Sequence, residues 1–526
     1  MHSIRKPSHA AEELERRKKA SPNKSIIVGL VVLIVVMAGY VLYVWFGTKE
    51  ESTETVAPPV EETIEKKPSI AVLSLYDSTP KRDNEYRCEG IADAIILALQ
   101  HVKDLDVKSR NSSFVFKGEN KNIRAIGDSL NAEYVLEGSL YIEDNAWRIT
   151  TQLIKATDDS HIWGDTYDFK EANLFAVQDS ISLAIVNALK IMLLGEEKEA
   201  IEKRYTENPE AYELYLRGRY NWNKRGEKEL RKGIQLFQQA IDIDSTYALA
   251  YVGIADCYDG LGSWQYMPSD EAFSKAKTFA SKALEIDNTI AEAYVSLATA
   301  NMWYYWDWNA VQINLDKALE LNPSYETVYL RYANFYRATG KFDAALESIQ
   351  RAHELDPLSL ILNLILAEIY VETGREEESL ELCHKTIELD PNFSPIYFTM
   401  GETYRSLGDY KNAVDAMQKS IELAGRFVMA ESSLGVIYAE SGEKEKAEEI
   451  LYDLLERKKE EYVSPYTIAL LYFGLGENDT GFEWLEKAYE EHVSWMAFIK
   501  VHIQRKKIPY ETRTKALLKK MGLPED

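Results

Sequence analysis

The sequence predicts a small α/β layer domain followed by an all-α solenoid, set behind one N-terminal membrane-spanning helix. Three observations predict it. Asn322-Pro323, Asp356-Pro357 and Asp390-Pro391 each close a helix-period segment, and each proline lies 34 residues after the last. Residues 68–195 break that beat and alternate short apolar runs with amphipathic stretches. Ile26 to Phe46 is a run of 21 residues without a charge.

The uncharged run comes first in the chain. As a helix it spans about 31 Å, close to the roughly 30 Å hydrocarbon core of a bilayer. Tyr40, Tyr43 and Trp45 sit at its far end, where aromatic rings favour the interface. Arg5, Lys6, Arg16, Arg17, Lys18, Lys19 and Lys24 precede it, and Glu50, Glu51 and Glu54 follow it. This bias predicts a single pass through the inner (cytoplasmic) membrane. Residues 1–25 form a basic cytoplasmic tail, 26–46 the anchor, and the bulk is periplasmic or extracellular. A cleaved signal peptide fits less well, because no small-x-small site follows and the run exceeds the usual apolar length. Residues 47–67, rich in Glu, Thr, Val and Pro, read as a disordered linker.

Within 68–195, Ser69 to Tyr76 suits a buried strand, and Ile91, Ala94, Ile95, Ala98, Leu99 and Val102 fall at helical spacing. A short strand (Leu105 to Ser109) and a short helix (Ile123 to Leu130) come next. Two stronger strands, Glu133 to Ile142 and Trp147 to Ala156, flank Glu143-Asp144-Asn145, where Asp and Asn tolerate a positive φ. A strand at His161 to Tyr167 and a helix through Phe175, Ile181, Ile185 and Leu189 complete the order β-α-β-α-β-β-β-α.

The 34-residue beat carries position-specific chemistry. One unit gives Leu366, Ala367, Tyr370, Gly374 and Pro391; the next gives Tyr397, Gly401, Tyr404, Gly408, Ala413 and Gly425. Small residues let two helices approach, the tyrosine wedges against a neighbouring unit, glycine turns the chain and proline ends the second helix. Two amphipathic helices per 34 residues is the tetratricopeptide arrangement. Phasing outward from this core gives about eight repeats over 209–493. An insertion falls near Gly262 to Pro268, and a cap at 494–526 draws its polar face from Arg505 to Lys520.

The middle domain resembles the TolB amino-terminal-like domain. The resemblance rests on Ser69-Ile70-Ala71-Val72-Leu73, Glu89 to Ile95, Arg110 to Gly118, Tyr134 to Ser139 and Ile162 to Asp168. In bacteria that domain commonly precedes tetratricopeptide repeats, often behind a cytoplasmic winged-helix, cyclase or kinase effector. About 25 residues precede the anchor here, and no such effector fits in them.

Chemical motifs are sparse. There is no P-loop, no GxGxxG after a strand, no HExxH and no CxxC, so no catalytic, cofactor or metal residue is assigned. The net charge of −24 argues against a nucleic-acid partner. Cys88, Cys257 and Cys383 read as small buried residues. Arg110-Asn111-Ser112-Ser113 either caps a turn or binds a partner's backbone. The aromatic patch of Trp264, Tyr266, Trp303, Tyr304, Trp306 and Trp308 either recognises a ligand or fills an inter-repeat joint. The inner face of the repeats is assigned Asn334, Arg337, Glu368, Glu402 and Arg405, as a groove for a protein or peptide partner or as solvated charges on its wall. The leading expectation is a non-enzymatic membrane-anchored scaffold. The alternative is a sensor subunit, whose α/β domain binds an envelope component or small molecule and signals through a separately encoded partner.

Overall fold

The computed structural model describes residues 67–525 apart from 117–121, 145, 171–173, 225 and 426. The basic tail at 1–25, the Ile26 to Phe46 run and all of the 47–67 linker except Lys67 therefore lie outside the described residues. Among the described residues no helix is long and apolar enough to cross a membrane.

The α/β domain is a sheet in the order β3-β1-β4-β5-β6, with β2 (Tyr76–Asp77) paired to β4. β1 (Ser69–Val72) runs parallel to β3 (Asp106–Val107) and β4 (Tyr134–Glu143). β4, β5 (Ala146–Lys155) and β6 (Ser160–Lys170) form an antiparallel meander. The β4–β5 turn carries Asp144 at φ 52°, which lets Glu143 pair with Ala146. Alternation then sorts the side chains. Ile70, Val72, Leu136 and Leu140 pack on the helices Glu85–Gln100 and Leu174–Ala188, while Ala71, Leu73, Val135 and Ile154 pack on Ile123–Leu130. Leu358, from the helical array, joins this second face.

Eight helix pairs follow, here repeats 1 to 8: Pro209–Trp222 with Glu227–Ile243, Ala248–Ser263 with Ser269–Ile286, Ala291–Ala300 with Trp308–Leu321, Glu326–Thr339 with Phe342–Leu355, Leu360–Glu372 with Glu376–Leu389, Ser394–Ser406 with Tyr410–Ala424, Val428–Glu440 with Lys444–Arg457, and Pro465–Gly474 with Asn478–Glu490. The extra residues of repeat 2 lengthen both of its helices and form the connection 264–268 between them. Gly340, Gly374, Gly408, Gly442 and Gly476 take φ between 72° and 91° at the turn from the first helix to the second. In the same register of repeat 3 stands Trp306, with φ 52°. A bulky residue there is strained, and its ring is held by stacking on His492 at 4.4 Å.

The α/β domain is fastened to the array at successive repeat junctions. The second helices of repeats 1 to 5 end in an Asp or Asn, and in repeats 1, 2, 3 and 5 its side-chain oxygen accepts the backbone N–H two residues on. The distances are 3.0 Å at Asp244 and Asp287, 3.2 Å at Asn322 and 2.8 Å at Asp390. The remaining polar atoms reach outward. From the connector that follows the domain, Thr206 donates to Asp244 at 2.6 Å and Lys203 pairs with Asp287 at 2.5 Å; from the domain itself, Gln100 accepts from the Asn322 amide at 3.3 Å. At Asp356 the pattern changes. The Ser112 hydroxyl accepts the Leu358 N–H at 2.7 Å and donates to Asp356, standing in for the direct turn bond. Asp356 also accepts from the Ser112 N–H at 3.0 Å and from the Asn111 amide at 3.1 Å. The Arg110–Ser113 motif thus caps a turn, with Ser109 accepting from the Asn111 N–H, and binds the backbone of this same chain.

Close packing inside the pairs is set by small residues. A Cβ built at Gly401 would stand 3.0 Å from Met417 Cε and 3.2 Å from the Ala413 carbonyl. Gly401→Leu is therefore expected to destabilise the protein by about 1–3 kcal/mol through overpacking. A thermal melt unchanged by that substitution would refute the helix–helix contact described.

Candidate functional site

Repeat periodicity places one face of each first helix toward the inside of the array. Asn334 and Arg337 stand on that face in repeat 4, Glu368 in repeat 5, and Glu402 and Arg405 in repeat 6. An open groove would leave them wet. Four are buried instead and Arg405 is partly buried with its side chain 8% exposed, in two ion-paired groups.

In the first group Arg337 donates to Glu368 at 2.7 Å, to Glu372 at 2.6 Å and to the Asn334 carbonyl oxygen at 3.2 Å. Both carboxylates belong to the next repeat. In the second group Glu402 takes Lys507 at 2.8 Å and Arg405 at 3.4 Å, and Arg405 also pairs with Glu440 at 2.8 Å. Burial alone would raise the Glu402 carboxyl. The charges of Lys507, Arg405 and Arg505 outweigh it and hold the group well below the usual carboxylate range. Burial lowers Lys507 to about 8 in spite of Glu402.

Lys507 belongs to the C-terminal segment, and this segment is what covers the face. Phe498 stacks its ring 5.2 Å from the Arg337 guanidinium, the Arg505 carbonyl accepts from Arg405 at 3.3 Å, and His502 hydrogen-bonds Tyr466 of repeat 8. The basic stretch is split between two roles. Lys515, Lys519 and Lys520 stay exposed on the helix Thr512–Lys520, whereas Lys507 turns inward. Sequence reasoning missed Lys507, Phe498 and His502 as site residues. A lysine inside a basic run carries no mark of burial, and only the apolar residues around it (Phe498, Ile499, Val501, Ile508) hint at one.

The aromatic patch also meets the end of the chain. Trp303 packs against Phe498 at 4.9 Å and Trp495 at 6.3 Å, Trp306 stacks on His492 and Tyr489, and Trp308 donates to the Met521 carbonyl at 2.7 Å. The Tyr304 carbonyl accepts from His492 at 2.9 Å. Trp264 and Tyr266 lie on the 264–268 connection, the tyrosine 42% exposed. For Trp303, Tyr304, Trp306 and Trp308 the arrangement is joint-filling between repeats 3 and 8 and the C-terminal segment. Cys88, Cys257 and Cys383 are buried free thiols. Among the described residues no three His, Cys, Asp or Glu side chains gather as a metal group.

Residues 336–401 and 394–426 match tetratricopeptide repeat family models, and the chain carries such repeats. A curated relative, "Putative adenylate cyclase 3" of Rhizobium meliloti (strain 1021), is 32% identical over 270 residues, 50% of this chain and 45% of the relative. The chain thus spans less than half the length of that relative. Similar solved structures include YrrB, a TPR protein with an unusual peptide-binding site (21% identity, 37% of this chain and 95% of that one, TM-score 0.26). A thermophilic TPR protein of Thermus thermophilus, TTC0263, is 18% identical over 37% of this chain and 98% of its own, with a TM-score of 0.32. A monomeric IFIT1 mutant is 14% identical over 67% and 85%, with a TM-score of 0.40.

The Glu402 site makes a pH prediction with a definite sign. Its folded carboxyl lies below the unfolded value of about 4.3, so its stabilisation is complete above that pH and is lost on further acidification. The denaturant midpoint of the protein is expected to fall between about pH 6 and about pH 3. It should fall less steeply for Glu402→Gln, which cannot titrate. Equal slopes for the two proteins would contradict the assignment.

Proposed function

We propose that this chain is a non-enzymatic, membrane-anchored interaction protein, held by Ile26 to Phe46 with residues 68–526 on the periplasmic or outer side. The repeats imply protein or peptide binding. The observation that carries the reading further is the Ser112–Asp356 clamp and its companion at Asn322, which takes Gln100. They unite the α/β domain and the repeats into one body, so that a partner meets a composite surface. The basic residues before the run and the glutamates after it support the orientation. In this reading the α/β domain is TolB-like, on the residues that carry that resemblance.

A second reading, favoured by the likeness to a putative adenylate cyclase over half of this chain, is a sensor subunit. There the α/β domain binds an envelope component or a small molecule, and the same clamp transmits the change to the repeats and to a separately encoded partner.

The test treats intact cells expressing the full chain, tagged at its C-terminus, with a membrane-impermeant amine cross-linker before purification. The chain is expected to be modified from outside and to bring down a cross-linked protein. Modification only by a permeant reagent would overturn the orientation. External modification without any captured protein would overturn the scaffold reading and leave the sensor reading in its place.

A further inference from the structure

The segment Ser494 to Leu523 leaves repeat 8 and returns along the inner face of repeats 4 to 7. Its seat has the chemistry of a peptide-reading groove. One position takes an aromatic ring against a guanidinium (Phe498 on Arg337, 5.2 Å). Another takes an ammonium into a buried carboxylate, since Lys507 lies 2.8 Å from Glu402 and donates to the Ser433 hydroxyl at 3.3 Å. A third, Arg405, donates to a main-chain carbonyl, that of Arg505, at 3.3 Å.

Charge complementarity explains why a basic segment sits there. The wall holds the carboxylates of Glu368, Glu372, Glu402 and Glu440 against the guanidiniums of Arg337 and Arg405, four negative charges to two positive. Lys507 pairs with Glu402, and Arg505 adds a second positive charge nearby. A buried carboxylate is costly to leave without a counter-charge, so the groove needs a cationic occupant. The fit is also incomplete. Glu402 Oε1 and Arg505 Nη2 are buried without a hydrogen-bond partner among the described residues. A different segment of the same pattern can match this seat as well as the resident one does.

We infer that the inner face of repeats 4 to 7 is a peptide-binding groove whose resident ligand is the chain's own C-terminal segment. The outside partner that fits it is a protein segment carrying an aromatic residue followed, nine positions on, by a lysine. This rests on the reading that the repeats bind protein segments, and it adds the place, the partner's chemistry and the regulation. The tethered segment competes at an effective concentration in the millimolar range, as roughly expected for a short connection. Its buried apolar residues, Ile499, Val501 and Leu517 among them, make the closed state the resting one.

The experiment compares the detergent-solubilised full chain with a version ending at Val493, each titrated with a fluorescent peptide of residues 494–526. The shortened chain is expected to bind the peptide, and a Lys507→Ala peptide at least about tenfold more weakly, the loss of a charged hydrogen bond in a desolvated seat. The full chain should not bind it. A shortened chain that is helical by circular dichroism yet does not bind, or binds both peptides equally, overturns the inference. If the shortened chain does not fold, amide hydrogen exchange on full-length Glu402→Gln decides. Exchange should quicken in 494–524 while the helices of repeats 4 to 7 hold their rates; equal quickening in both would make the segment an inseparable part of the core. Failure of the groove is separable from failure of the function. Cross-linking that captures a partner equally with and without residues 494–526 sinks the groove alone. Peptide binding without any captured partner sinks the scaffold reading alone.

Discussion

An Asp or Asn that ends a helix commits one oxygen to its own turn and keeps further hydrogen-bonding capacity in reserve. In this protein that capacity at Asn322 and Asp356 is the fixture on which the α/β domain is mounted, while Asp244 and Asp287 hold the connector at Thr206 and Lys203. Its strongest point is Asp356, which takes a backbone N–H, a hydroxyl and an amide from the Asn111-Ser112 dipeptide. Buried bonds to a charged acceptor are the costly ones to lose. The same residue type at Asp390 closes its own turn to Asn392 and lies beyond the domain's reach.

Two consequences follow for the array. A tetratricopeptide solenoid is open along its length and contacts only neighbouring units, yet here distant units are tied together. The α/β domain reaches repeat 1 at Glu213 and the junctions of repeats 3 to 5 at Asn322 and Asp356, and the C-terminal segment joins repeat 3 to repeat 8 through Trp303, Trp495 and Phe498. One apolar core accordingly runs from Ile91 and Leu216 through Phe237 and Phe398 to Leu523. Trp306, in a left-handed position that glycine fills in later repeats, shows how local strain is accepted where a side chain is needed to close a joint.

The parts of this fold legible in the sequence are those written in local periodicity. The 34-residue beat, the strand alternation around Asp144 and the helical spacing from Ile91 to Leu99 each depend on residues close in the chain. The partners of Ser112 and Lys507 depend on residues far away, and no spacing rule reaches them. Arg110 to Ser113 stands out as polar, but only the fold brings Asp356 to it. Phase assigns Asn334, Arg337 and Arg405 to one face, whereas the residues that cover them come from the far end of the chain. The run from Ile26 to Phe46 and its orientation rest on sequence alone.

The central claim is that the Asp356 junction holds the two folds as one cooperative body. Asp356→Ala in the full chain leaves the Ser112 N–H and the Asn111 amide without their acceptor, a loss of about 1–3 kcal/mol for each buried group. Amide hydrogen exchange of this variant is expected to quicken in residues 109–113 and across the helix Ile123–Leu130, which packs beside Leu358. Repeats 6 to 8 should keep their native rates. Native rates at both of those α/β sites would contradict the account, since the domain would then hold its place without the junction.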